Sequence, residues 1–151
     1  MNTKALEYIP HDGRMALIDE IVEVKENFIT CSIIPQQASD FRNKLNQIPS
    51  WIGLEYMAQT IGAYAGWLAK LENRDIKVGF LLGSRKLVLH TDIFKDETIY
   101  SQAELVFQNE ELGSFKCTIL GADKKTLLAE ATVNVFQPED IERFLEEKNQ
   151  Q

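Results

Sequence analysis

A chain of 151 residues, 44% apolar and 26% charged, fits one domain and is long enough to bury a core. Its formal net charge of -7 argues against a nucleic-acid binder, which needs a basic surface, while leaving room for an acidic partner that meets a local basic patch. The two cysteines, Cys31 and Cys117, lack metal-ligand or redox spacing and read as reduced, half-buried fillers of a cytoplasmic protein, and the N-terminal stretch has no apolar run of the signal-peptide kind.

Taken in chain order, residues 15–35 are predicted as two strands joined near Glu26 and Asn27. In the second, Ile29, Cys31 and Ile33 alternate with Thr30 and Ser32. Residues 36–49 are mostly polar and aperiodic, a loop of a length that is often functional. Residues 50–71 are helical, and residues 76–90 form a long apolar strand. Strands over 98–108, 114–120 and 127–137 follow, separated by turn signals at Asn109 to Gly113 and Gly121 to Lys125. The last alternates most regularly, with Ala129, Ala131, Val133 and Val135 against Glu130, Thr132 and Asn134. Pro138, Glu139 and Asp140 then open a short C-terminal helix with an apolar stripe of Ile141, Phe144 and Leu145. No repeat, low-complexity stretch or linker interrupts the chain, which is read as a single domain over residues 1–151. One helix among six strands points to an α+β fold in which a curved antiparallel sheet wraps round one long central helix.

That helix carries the strongest signal. From Trp51 to Ala69 it is apolar or small on nearly every face, the mark of a buried helix, and Glu55, Gln59 and Thr60 with no basic flanks speak against a membrane span. Ala58, Gly62, Ala65, Gly66 and Ala69 form a small-residue stripe. Two glycines mid-helix, each costing about 1 kcal/mol of propensity, suggest another backbone passing close, which a tightly curled sheet would supply. Glu55 is the one charged side chain between Trp51 and Ala69. A carboxylate there is costly to bury without a reason, and the catalytic reading outweighs that of a glutamate held by the helix dipole or an arginine. Histidine occurs twice, as His11 before the first strand and His90 at the end of the long one.

The segment IPHDGRMALIDEI resembles the opening of bacterial 3-hydroxyacyl-acyl-carrier-protein dehydratases, and PSWIGLEYMAQTIGAYAG resembles their catalytic helix, with Glu55 six residues after Pro49 as in the family pattern. With the GFLLGSR strand, the match runs nearly the whole chain in order and looks closest to the aryl-polyene cluster dehydratases of the ApeP-like type. The chain departs from the main dehydratases in one respect. Their catalytic loop histidine, fourteen residues before the glutamate, falls here on Phe41.

The resemblance implies a hotdog fold and loss of water from a (3R)-3-hydroxyacyl thioester on an acyl carrier protein, giving the trans-2-enoyl thioester in a fatty-acid-like or aryl-polyene pathway. A base removes the C2 proton, a role for His11, and Glu55 in its acid form protonates the departing hydroxyl. Backbone N–H groups near Gly53 at the helix start would meet the enolate oxygen, and Gln59 and Phe41 would line the substrate. No cofactor or metal is implied. The partners implied are the carrier protein and a second hotdog subunit, identical or different, with no nucleic acid and no membrane span. Arg85 and Lys86 on the long strand, with Arg42 and Lys44 in the loop, are the candidate landing site for an acidic carrier. Two other readings stand beside an active dehydratase: a non-catalytic or half-site partner of a complete subunit, and a hotdog acyl thioesterase.

Overall fold

The computed structural model describes residues 4, 5, 8, 16–35, 41–75 and 79–137. His11 and the expected C-terminal helix lie outside them.

Strands β1 (Glu20–Lys25) and β2 (Phe28–Ile33) form the first hairpin, with Asn27 at a positive φ of 64° in its turn, a conformation asparagine tolerates. After the two-residue strand β3 (Ile48–Pro49) and a 3₁₀ turn over Ser50–Ile52 comes α1 (Gly53–Leu71). Then follow β4 (Phe80–Leu89), β5 (Ile93–Phe94), β6 (Ile99–Asn109), β7 (Leu112–Leu120) and β8 (Leu127–Phe136). Six strands make one antiparallel sheet in the order β1-β2-β6-β7-β8-β4. Register shifts in β1, β4, β6 and β8 add bends to its ordinary twist, so the sheet curves round α1. This is the hotdog arrangement.

The period-2 pattern decides which face meets the helix. Ala129, Ala131 and Val133 of β8 point inward and are buried, as are Ile29, Cys31 and Ile33 of β2 and Ile99 and Ala103 of β6. On α1 they meet Tyr56, Met57, Thr60, Ala63 and Tyr64. The Thr60 hydroxyl donates to the Tyr56 carbonyl at 2.7 Å and lies 2.8 Å from Ser101 Oγ of β6, so two buried hydroxyls satisfy each other at the helix–sheet seam. At the other end of the helix the Asn27 N–H donates to Tyr64 Oη at 2.8 Å. Both cysteines are fully buried rather than half-buried, and burial pushes each thiol up to about 12. They sit on β2 and β7 with β6 between them.

Two expectations need correction. The strand pair β3–β5 has no periodic signature because each partner is two residues long; it joins the loop before α1 to the connection after β4, and the Ser50 N–H adds a bond to the Asp92 carbonyl at 2.9 Å. The backbone that crowds α1 is not the sheet. A Cβ on Gly66 would lie 1.8 Å from the carbonyl oxygen of Tyr8, so the N-terminal segment is what crosses the helix there.

Candidate functional site

The helix does not bury every face. Glu55, Ala58, Gly62 and Ala65 are half-buried and recur at three- and four-residue spacing, so they share one stripe along α1. Short side chains leave this stripe unfilled, and the sheet wall opposite is set back. The result is a cavity of about 520 Å³, floored by that stripe and walled by Leu81, Leu105, Phe115 and Val135. The small-residue pattern therefore has two uses: Gly66 admits the N-terminal segment, while Ala58, Gly62 and Ala65 make room beside Glu55.

Glu55 thus opens onto an apolar space instead of being enclosed in the core. Its Oε1 accepts a hydrogen bond from Gln59 Nε2 at 3.0 Å, and Gln59 Oε1 accepts from the Leu17 N–H at 2.8 Å. Gln59, expected from the sequence at the substrate, is 1% exposed and is not among the described residues that line the cavity. It fixes the carboxylate through the backbone of the strand-leading segment. Gly53 lies at the start of α1. Its N–H already donates to the Ser50 and Trp51 carbonyls, and a Cβ there would come 3.1 Å from Ile119 Cδ1 and 3.2 Å from Phe94 Cζ. It lets the helix start pack against β7 and β5 and offers no free donor. Phe41 packs on the core and is not part of the cavity wall.

The remaining candidates scatter. His90 is on the outer face of the sheet, its Nε2 3.0 Å from Glu130 Oε2, with Glu130 on the side of β8 opposite the buried alanines. Arg42 is held in its own loop, Nη1 donating to the Asn46 carbonyl at 2.7 Å and Nη2 pairing with Asp96 at 2.9 Å, and its side chain is only 12% exposed. Lys44 is exposed on the same loop. Arg85 and Lys86 are exposed on β4, the edge strand, where Lys86 takes a positive φ of 55° at a bulge. Beside Glu55, burial pushes the Tyr56 phenol above its ordinary range, an effect that the Arg42 charge only partly offsets, and its buried hydroxyl has no hydrogen-bond partner among the described residues. Sequence reasoning missed the sheet wall of the cavity, whose residues look like any other inward-facing strand positions.

The ApeP dehydratase family matches residues 3–146. The chain belongs to this dehydratase family. Its fold superposes on the dehydratase heterocomplex ApeI:P from Xenorhabdus doucetiae with a TM-score of 0.87 at 28% identity, over 96% of this chain and 97% of that one. The PaaI protein of E. coli, from a phenylacetic acid degradation operon, is similar in fold at 9% identity and a TM-score of 0.60, covering 77% of this chain and 80% of that one. A hypothetical thioesterase from Streptococcus pneumoniae bound to coenzyme A is similar at 14% identity and the same TM-score, covering 79% and 84%. No curated protein sequence matches. Among the described residues, no helix is long and apolar enough to cross a membrane.

Proposed function

We propose that this chain supplies the carboxyl half of a dehydratase site for (3R)-3-hydroxyacyl groups, carried as thioesters on an acyl carrier protein, within a pair of unlike hotdog subunits. The observation that carries the reading is Glu55, held by Gln59 on the wall of an apolar cavity, while the one described histidine is tied to Glu130 on the other side of the sheet. In the reaction a base takes the C2 proton, the C2–H electrons form the C2–C3 double bond, and the C3–O bond breaks as Glu55 hands its proton to the hydroxyl, releasing water. The base is then an imidazole of the partner subunit.

The edge strand β4 supports such a partner. Leu81, Leu82, Leu87, Val88 and Leu89 are 38–58% exposed along it, and a long apolar edge with unpaired backbone groups is a template for another strand. The heteromeric state of the ApeI:P dehydratase favours the same reading. A second source of the base is His11 of this chain, which the sequence pattern favours. Purified chain, with and without a neighbouring hotdog subunit, is assayed by mass spectrometry on a panel of 3-hydroxyacyl carrier proteins. Loss of one water only with the partner present, unaffected by His11→Ala, is the expected result. A fall of roughly 10²–10⁴-fold in His11→Ala would instead make His11 the base. Release of free acid would mean a thioesterase.

Carrier docking at Arg85 and Lys86 has its own signature. Reversing both charges is expected to raise KM for carrier-bound substrate, less so as salt rises, and to leave a small thioester mimic unaffected. Equal losses on both substrates would make the pair structural.

A further inference from the structure

The cavity does not end beneath Glu55. It follows α1 from Glu55 to Leu68, thirteen residues on, a length of about 20 Å at 1.5 Å per residue. Spread over that length, its volume of about 520 Å³ leaves room for an extended chain. The first part is apolar, with Ala58, Gly62 and Ala65 on one side and Leu105, Phe115 and Val135 on the other. The far end is of a different character. There the lining passes to Glu26 and Asn27 of the β1–β2 turn, Gln108 at the end of β6, Glu110 of the β6–β7 turn, and Arg74 after the helix, all exposed. A binding pocket that measures chain length ends in an apolar wall; among the described residues, this one runs out into solvated charged side chains.

We propose that the cavity is an acyl channel open at its far end, so that the site sets no upper limit on acyl length, and that Ala65 is the residue that keeps it open. The inference rests on the reading of Glu55 as the catalytic acid and adds the substrate class: acyl groups long enough to cross the channel, whose tails leave through the polar mouth. Ala65 lies ten residues beyond Glu55, about 15 Å along the axis. An extended acyl chain advances about 1.25 Å per carbon, given C–C bonds of ~1.5 Å, and so, counted from the C3 that faces Glu55, reaches Ala65 at about carbon fifteen. A longer side chain at this half-buried position projects into the channel rather than into the core.

The test uses the assembled dehydratase and two sets of ligands: 3-hydroxyacyl thioesters of roughly six to eighteen carbons, and their non-reacting amide analogues, with turnover and Kd measured against length. The parent is expected to show no cut-off in either series. Ala65→Phe should keep short substrates within about twofold and lose at least about 30-fold on chains longer than about fifteen carbons, with Ala65→Leu intermediate. A cut-off in the parent, or equal losses at every length in both variants with the melting temperature unchanged, would overturn the open channel. Absence of turnover together with length-tolerant amide binding would sink the dehydratase reading and leave the channel standing.

Discussion

Glu55→Gln is expected to lower dehydration by the assembly at least about 100-fold while leaving the protein as stable as the parent. The amide keeps the size of the carboxyl group and an acceptor oxygen for Gln59 Nε2, now 3.0 Å from Glu55 Oε1. What it cannot do is release a proton to a departing hydroxyl. Stability should hold because the side chain is half-buried and faces the cavity, so the change falls outside the closed core, and the amide keeps an acceptor oxygen and the size of the carboxyl group. Thermal melting and the mass assay on the same preparation separate the outcomes. A loss of several kcal/mol would assign Glu55 a structural role, and full activity with an intact fold would place the chemistry outside this chain. Because Gln59 acts through Glu55, Gln59→Ala should lower turnover while leaving substrate affinity nearly unchanged.

Gly66→Ala is expected to have the largest effect on stability. On helix propensity alone alanine would gain about 1 kcal/mol over glycine. Here its methyl carbon would sit 1.8 Å from the Tyr8 carbonyl oxygen and 2.6 Å from the carbonyl carbon, so a piece of backbone has to move. Tyr8 is 4% exposed, its N–H donates to the Ala5 carbonyl at 2.9 Å, and its ring lies 4.6 Å from Lys70 Nζ, so the segment has contacts to lose. Overpacking of this kind costs about 1–3 kcal/mol, enough to reverse the sign of the propensity gain. Denaturant titration of parent and variant measures it. A variant at least as stable as the parent would mean that the N-terminal segment does not cross the helix at Gly66.

The sequence by itself determined the local pattern and most of the fold. Alternation in residues 127–137 set which side of β8 is buried, because side chains on a strand alternate between faces whatever lies beyond it. The all-round apolar stretch after Trp51 identified a helix that a sheet must cover, and a lone glutamate within it marked the candidate acid, since an ionised group among apolar residues is costly enough to stand out. The order of elements and the LEYMAQ helix pointed to the family.

Only the tertiary structure decided what the small residues and the polar helpers do. Gly62 and Gly66 are the same residue type four positions apart, yet one floors the cavity and the other admits the Tyr8 backbone. Gln59 has no partner legible in the sequence, and the fold brings Leu17, 42 residues away, to donate to its carbonyl oxygen while its amide donates to Glu55. Arg42 reads as a free cation until Asp96 pairs with it, and His90 lies across the sheet from the site because β4 delivers it to the outer face beside Glu130. In each case the deciding partner is distant in the chain, and a side chain's role follows from what folding brings against it rather than from its neighbours in sequence. The cavity is the extreme instance: an empty volume arises where facing side chains fail to meet, and no single residue in the sequence encodes that gap.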